Sequence, residues 1–377
     1  MDTAMLGEPE FSRHGSWVEV DLETLARNVR VIRDALGDHA DLILVVKSDA
    51  YGHGLGTIAA HAASGGVQRF GVVSPEEALE ARRAVPDAQV LLLGVAAKED
   101  VAALIKHQVI PVVVSETHGQ ALAAEARNLG EALEVHLKFD TGMTRLGIPW
   151  QQGPAVMARL LEARGLNVTG LCSHFATVEP DHPGTGDLQF SRFSDIARHA
   201  PPGILKHMSN SRAFLCRAEW DNDAVRVGIA AYGYGSNDSR YRVHTHPVLQ
   251  WKCRVMQVKR VAVDTPVGYD GTRVTDAPTD IAVLDAGYAD GYPRLLTNRA
   301  DVLIGGRRRR VIGRVSMNWI TVDVGTEGDV AEGDEAILMG RQGDEDVWAD
   351  ELAELCGTIP YEILTNIRAT IERRYVG

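Results

Sequence analysis

Short apolar runs alternate with helix-like segments over the first two thirds of the chain. Eight such runs, each four or five residues long, precede residue 235: 42–46, 70–73, 90–93, 110–114, 133–137, 168–172, 204–207 and 224–227. Continuous apolar runs of this length are typical of strands buried on both faces of a parallel sheet. Strand and helix in alternation require right-handed crossovers, and about eight such units close into a barrel. We therefore predict a TIM-type (βα)8 barrel.

One helix start in this region is well marked. Ser74 is a capping residue, Pro75 occupies the first helical position, and Glu77 stands where a reciprocal capping side chain is expected. The pattern predicts a helix that begins immediately after Ser74.

The pattern changes after His246-Pro247. Alternating or apolar segments follow at 251–258, 281–284, 311–315, 320–324 and 336–339, separated by Gly/Asp turns. Gly305-Gly306 before a run of four arginines predicts an exposed hairpin. Helices are expected over 350–355 and 364–373. We predict a barrel domain over 1–247 and a mostly antiparallel, β-rich C-terminal domain over 248–377, with about the first 15 residues packing with the latter.

Composition limits the classes of function. The chain has 377 residues, 45% of them hydrophobic, and a formal net charge of −12, which argues against a nucleic-acid or anionic-membrane surface. The four cysteines are scattered without CxxC spacing, which is typical of free thiols in a reducing compartment. Neither a disulfide framework nor a metal site is predicted. Since no stretch has the pattern of a signal peptide or a membrane span, we expect a cytoplasmic protein.

Polar residues follow several predicted barrel strands where each strand ends. They are Lys47, Lys138, Arg145, His174, Ser211 and Arg226. The carboxyl ends of barrel strands meet at one mouth, so these side chains are expected to lie together. Lys47 directly follows the first strand. A lysine amine condenses with an aldehyde only when neutral, which a neighbouring cation or a dry pocket achieves by lowering its pKa.

The segment around Lys47 carries a family resemblance. Asp49-Ala50-Tyr51-Gly52-His53-Gly54 resembles the cofactor-lysine segment of alanine racemases, pyridoxal-phosphate enzymes that interconvert L- and D-alanine. Four further segments resemble the same family in the same order: 138–147, 226–233, 286–294 and 313–318. Because these segments span most of the chain, the resemblance implies the family's fold of a barrel followed by a β-rich domain.

The resemblance implies pyridoxal 5′-phosphate as the cofactor. Lys47 would bind its aldehyde, Arg226 would face its pyridine nitrogen, and His174 would lie against it and bond to Arg226. Because arginine offers donors only, the ring nitrogen would stay unprotonated, which disfavours side reactions such as transamination. Contacts to the cofactor's phosphate are implied for Tyr51, Ser211, Tyr361 and the backbone amides of Gly228 and Ile229.

The resemblance also implies two acid/base groups, because racemisation needs one on each face of the reacting carbon. Lys47 would serve one face and Tyr288 of the partner subunit the other, which makes a head-to-tail homodimer a requirement. Arg145 would contact the cofactor and the substrate carboxylate, and Lys138 is a candidate carbamylated lysine that holds Arg145. Met317 of the partner subunit would offer its backbone amide to the substrate. The implied function is an alanine racemase that supplies D-alanine for cell-wall peptidoglycan.

Two positions depart from the family pattern. Asn318 and Glu179 stand where aspartates are usual, and both belong to the expected substrate entrance. A broader amino-acid racemase acting on serine or larger substrates is therefore the nearest alternative. A pyridoxal-phosphate carrier would lack the second domain, and a decarboxylase of this barrel type would have a carboxylate where Arg226 stands.

Overall fold

The computed structural model describes residues 15–178, 184–236 and 239–377, which form two compact units. One unit is Leu22–Val248. The other combines the described residues up to Asp21 with Leu249–Gly377. Within the described residues, no helix has both the length and the apolar composition needed to cross a bilayer.

Eight parallel strands form a closed barrel in the first unit. After β1 (Trp17–Asp21), which belongs to the other unit, the strands are β2 (Asp41–Val45), β3 (Arg69–Val72), β4 (Gln89–Leu92), β5 (Val109–Val113), β6 (Leu133–Asp140), the two-residue β7 (Ile148–Pro149), β8 (Leu166–Cys172), β9 (Leu205–Asn210) and β10 (Ala224–Val227). Pairing of β5 with β6 and of β2 with β10 closes the ring, and β7 pairs with β6 outside it. The predicted (βα)8 barrel is confirmed, with all eight strands at the predicted runs.

Helices connect the barrel strands. They are α1 (Leu22–Leu36), α2 (Leu55–Ser64), α3 (Pro75–Ala84), α4 (Val101–Lys106), α5 (Glu116–Asn128), α6 (Gly153–Leu161), α7 (Thr185–Ala197) and α8 (Ser211–Cys216), with 3-10 turns at Lys98–Asp100, Trp150–Gln152 and Ala218–Trp220. The predicted start of α3 is confirmed: Glu77 N donates to Ser74 Oγ at 3.2 Å, and Ser74 N donates to Glu77 Oε2 at 3.3 Å. Side chains such as Ile43, Leu91 and Ala224 pack into a buried cluster between the strands.

The second unit is a mostly antiparallel sheet with two helices. Its strands after β1 are β11 (Leu249–Val261), β12 (Pro266–Val267), β13 (Arg273–Val274), β14 (Thr279–Leu284), β15 (Asp301–Ile304), β16 (Arg307–Arg310), β17 (Ile320–Gly325), β18 (Glu335–Gln342), β19 (Glu345–Val347) and β20 (Glu372–Val376). The helices are α9 (Ala349–Cys356) and α10 (Pro360–Asn366), with 3-10 turns at Tyr269–Gly271, Tyr288–Asp290 and Arg294–Leu296. β1 lies between β11 and β20, antiparallel to the former and parallel to the latter. The predicted β-rich domain is confirmed.

Two predicted elements of this unit are wrong. Residues 311–315 are not a strand, because Gly313 has a φ of +75° and only Val311 forms a single bridge, to Val322. The helix expected over 364–373 ends at Asn366, and the chain then forms β20 beside β1. The predicted hairpin is confirmed, since Gly305 and Gly306 both have positive φ, as a two-residue type I′ turn requires. Its exposure is confirmed only in part, because Arg309 is buried and binds Asp329.

Candidate active site

Lys47 emerges from the carboxyl end of β2 and opens an unusual turn. Ser48 to Tyr51 have consecutive φ values of +53°, +54°, +52° and +56°, so this segment of Lys47–Gly52 is left-handed. A left-handed conformation costs roughly 1–2 kcal/mol for each residue with a side chain, so surrounding contacts must stabilise the turn. Ser48 N donates to Glu77 Oε1 at 2.5 Å, and Leu55 N donates to Asp49 Oδ1 at 2.8 Å. Lys47 therefore lies at the start of a loop that is fixed by hydrogen bonds near both of its ends.

The electrostatic environment of Lys47 favours its neutral amine. Burial is the largest cause that lowers the pKa of Lys47, and the nearby charge of Arg145 lowers it further. The carboxylate of Glu77 acts in the opposite direction and raises the pKa of Lys47. A lowered pKa increases the fraction of amine that can attack an aldehyde or accept a proton.

Tyr51, Ser211 and Gly228 form a small cradle. The Tyr51 ring is buried, and a Cβ at Gly228 would lie 2.3 Å from Tyr51 Oη, so only glycine allows this approach. Gly228 N and Ala230 N donate to Ser211 Oγ at 3.0 and 3.4 Å, which leaves the Ser211 proton available for another acceptor. Ile229 N donates no hydrogen bond within the described residues. The Ser211 hydroxyl and the Ile229 amide can therefore both donate to a ligand, which suits an anion such as a phosphate.

Arg226 lies buried between neighbouring strand ends and is held by an unusual number of acceptors. Its Nη1 donates to His207 Nδ1 at 2.7 Å and to His207 O at 2.9 Å. Its Nη2 lies 2.7 Å from Ser173 O, 2.9 Å from Met208 O and 3.2 Å from His174 Nδ1. Within the described residues the Nε–H of Arg226 has no acceptor. Nε is not one of the fully enclosed polar atoms without a partner, so it is accessible from outside the side chain's own pocket. The side chain is therefore rigid, with one N–H still available to a ligand.

The contacts of Arg226 determine the tautomers of two histidines. Because a guanidinium can only donate, Nδ1 of both His174 and His207 must accept, so the proton of each ring is on Nε2. His207 Nε2 then donates to His136 Nδ1 at 2.8 Å. Burial and the charge of Arg226 hold the pKa of His174 and His207 well below their usual range, and burial lowers the pKa of His136 to about 3. All three rings are neutral around one fixed positive charge.

Arg145 and Lys138 lie at the end of β6. Asp140 Oδ1 accepts from Gly142 N at 2.9 Å and from Thr144 N at 3.0 Å, which shapes the loop that carries the exposed Arg145. Burial is the main cause that lowers the pKa of Lys138, and the charges of Arg226 and Arg145 lower it further. The structure thus brings Arg145 and Arg226 each close enough to Lys138 for their charges to disfavour its ammonium form.

In the second unit, Tyr288 and Met317 lie on two loops that are joined directly. Tyr288 N donates to Ser316 O at 3.0 Å and Ala289 N donates to Met317 O at 2.9 Å. The side chains of Tyr288 and Met317 are 42% and 55% exposed. Met317 N–H donates no hydrogen bond within the described residues, so it is available to a ligand.

The other predicted residues of this unit are also exposed. Tyr361 lies in the first turn of α10 and is 39% exposed, and Asn318 is exposed next to Met317. Glu179 lies outside the described residues.

The structure adds residues that the sequence did not single out. His207 and His136 lie in β9 and β6, two strands that carry several other polar residues, so no distinct sequence signal marks either histidine. The sequence identifies Glu77 only as a helix cap, although Glu77 also binds the loop after Lys47. The roles predicted for the individual site residues remain predictions.

Comparisons with known proteins agree with this arrangement. The family model of the alanine racemase N-terminal domain matches residues 20–236, and that of the C-terminal domain matches residues 248–375. The alanine racemase of Syntrophobacter fumaroxidans is 40% identical over 357 residues, covering 93% of this chain and 95% of that protein. The alanine racemase of Carboxydothermus hydrogenoformans is 39% identical over 366 residues, covering 96% of this chain and 99% of that protein.

A solved structure is similar over the same extent. The crystal structure of alanine racemase from Bacillus anthracis with bound L-Ala-P is 30% identical, has a TM-score of 0.89, and covers 97% of this chain and 96% of that chain. Because both family models and relatives above 30% identity extend over nearly the whole sequence, this chain belongs to the alanine racemase family of amino-acid racemases.

Proposed function

We propose that this chain is a pyridoxal-phosphate-dependent alanine racemase that interconverts L- and D-alanine by a two-base mechanism. The observation that carries the proposal is the buried Arg226, whose unused N–H lies at the same barrel mouth as an amine of lowered pKa on Lys47. We infer a cytoplasmic location, which the four free cysteines support, and a role in supplying D-alanine for peptidoglycan.

The residues present fit the cofactor. Lys47 would hold its aldehyde, Arg226 would donate its remaining N–H to the pyridine nitrogen, and His174 would lie against it. Tyr51, Ser211, Gly228, Ile229 and Tyr361 would bind its phosphate. When bound, pyridoxal phosphate withdraws electrons from the α-carbon of an attached amino acid, which makes the proton on that carbon removable. Because Arg226 carries no proton acceptor, the pyridine nitrogen would stay unprotonated and the site would favour proton exchange over transamination.

Two side chains would move the proton. Lys47 Nζ would accept it on one face, and Tyr288 Oη of the partner subunit would donate or accept it on the opposite face. This division requires a homodimer. The exposure of Tyr288 and Met317, on loops joined by backbone hydrogen bonds, supports their joint presentation to another subunit. The free Met317 N–H would bind the substrate carboxylate.

Lys138 would be modified to a carbamate that holds Arg145 in place for the substrate. Its lowered pKa favours the neutral amine, which attacks carbon dioxide and releases a proton, and its unmodified ammonium form would repel Arg145. A carbamate would carry a negative charge, so repulsion would become a charge-assisted bond that orients the Arg145 guanidinium. Native intact-mass measurement at neutral pH in bicarbonate-replete buffer, without acidification, tests this, since a chain of unmodified mass under those conditions would exclude the carbamate.

The acid/base assignment is tested by Lys47→Ala and Tyr288→Phe. Chiral chromatography of L- and D-alanine measures both directions, and cofactor absorbance reports attachment at residue 47. We expect Lys47→Ala to abolish both directions and the absorbance. Tyr288→Phe should lower kcat/KM equally in both directions, because the equilibrium constant between the two enantiomers is fixed. In deuterated water it should suppress exchange of the α-proton mainly for the enantiomer from which Tyr288 removes it. Tyr269→Phe is the matched control, because Tyr269 is 70% exposed and is assigned no part in the site. Wild-type racemisation by Tyr288→Phe, or equal loss of α-proton exchange for the two enantiomers, would refute its role as a base.

A broader amino-acid racemase is a second candidate. The exposed amide of Asn318, next to Met317, changes the charge expected at the substrate entrance and favours weaker discrimination. Chiral analysis against a panel of L-amino acids separates the two, since comparable kcat/KM for serine and alanine would establish the broader activity.

A further inference from the structure

Glu77 belongs to α3, the helix after β3, but it also binds the loop after β2. Its Oε2 accepts from Val73 N at 2.9 Å and from Ser74 N at 3.3 Å, at the start of its own helix. Its Oε1 accepts from Ser48 N at 2.5 Å, and Ser48 directly follows Lys47. A single carboxylate therefore joins the carboxyl ends of two adjacent barrel strands.

This arrangement exceeds what a helix cap needs. A capping box uses the N-cap backbone N–H only, so the bond from Glu77 to Ser48 has no role in α3. Ser48 is the first of four left-handed residues, and the position of its N–H determines the direction in which the chain leaves Lys47. A carboxylate can accept on both oxygens, whereas a glutamine amide has one acceptor and one donor group.

We propose that Glu77 is a positioning residue for Lys47, which it holds in place through Ser48 and keeps next to a fixed negative charge. The proposal deepens the proposed function and rests on it. Among the described residues, the charged or titratable groups that interact with Lys47 are Arg145, Glu77 and His174. His174 is neutral, Arg145 favours the neutral lysine amine, and Glu77 favours the protonated one. Glu77 thus limits how far the amine is driven towards its neutral form.

The test compares Glu77→Gln with Glu76→Gln in the full-length protein. Glu76 precedes Glu77 in the first turn of α3 and is fully exposed, so its exchange removes the same charge without touching the lysine loop. In cofactor-free protein, the rate at which trinitrobenzenesulfonate modifies Lys47, followed by mass spectrometry against pH, reports the neutral amine. In the cofactor-loaded protein, kcat and KM for alanine are measured in both directions.

We expect Glu77→Gln to move the midpoint of Lys47 modification to lower pH, while Glu76→Gln leaves it unchanged. We also expect Glu77→Gln to reduce kcat at least about tenfold, with KM changed less than about threefold, because the amine is displaced rather than the substrate site. A Glu77→Gln protein with the wild-type midpoint or the wild-type kcat overturns the proposal.

If Glu77→Gln does not fold, Glu77→Asp replaces it in the test. Aspartate keeps both carboxylate oxygens but is one methylene too short to reach both loops. A reduced kcat is then expected, and a wild-type kcat overturns the proposal. If the wild-type protein binds no pyridoxal phosphate, the proposed function fails. The pH midpoint in the cofactor-free protein still tests Glu77 in that case.

Discussion

Replacing Arg226 by lysine keeps the charge but removes donors from a crowded buried site. Arg226 satisfies five acceptors, which are three backbone carbonyls and two imidazole nitrogens. A lysine ammonium has three N–H groups on one atom, so at least two of these acceptors lose their bond to residue 226. His207 O also accepts from Ser173 N at 3.4 Å, so at least one acceptor is left unsatisfied. Each buried acceptor left unsatisfied costs about 1–3 kcal/mol, so the free energy of unfolding should fall by roughly 1–6 kcal/mol.

Urea unfolding of the full-length protein, monitored by tryptophan fluorescence, measures this loss. Arg83→Lys is the matched control: Arg83 is exposed on α3, and its exchange should change stability by less than about 0.5 kcal/mol. If Arg226→Lys unfolds within about 0.5 kcal/mol of the wild type, the inferred dependence of this site on a forked donor is wrong. A shift confined to cofactor binding, without loss of stability, would lead to the same conclusion.

Two further predictions concern packing and pH. A Cβ at Gly287 would lie 2.3 Å from Met317 O, so Gly287→Ala should separate the loops that carry Tyr288 and Met317. We expect it to destabilise the protein by about 1–3 kcal/mol in thermal unfolding. The control Gly56→Ala on α2, where the nearest contact of a Cβ is at 3.5 Å, should not destabilise it. Wild-type stability of Gly287→Ala would contradict the close approach. Burial lowers the pKa of His136 from an ordinary 6.5 to about 3. Between pH 6.5 and pH 3, His136 therefore binds a proton in the unfolded chain but not in the folded protein. The free energy of unfolding should decline as the pH falls through this range, by about 1.4 kcal/mol per pH unit. His136→Gln should remove that part of the pH slope, and an unchanged slope would show that His136 does not cause it.

Much of the barrel follows from local patterns. A strand buried on both faces must be continuously apolar, so the length of each run marks each strand, and Lys47 could be located at a strand end from the sequence. The capping residues before α3 and the Gly305-Gly306 turn are equally local, since the preferred backbone geometry of these residues acts within a few positions. The resemblance to alanine racemases added candidate roles that no local pattern carries.

Other features depend on contacts between distant parts of the chain. His136, His207 and Arg226 form one hydrogen-bonded chain because barrel closure brings β6, β9 and β10 together. Room for the His136 ring exists only because residue 170 is glycine, where a Cβ would lie 2.5 Å from it.

Backbone conformation was likewise decided at two places by tertiary contacts. The left-handed turn after Lys47 opposes the intrinsic preference of its residues and depends on bonds to Glu77 and other neighbours. β20 replaces the helix expected there because β1, from the opposite end of the sequence, offers a free edge. Helix and strand preferences amount to about 1 kcal/mol or less per residue, and the left-handed conformation costs roughly 1–2 kcal/mol per residue. Hydrogen bonds and burial supplied by remote segments can therefore reverse both.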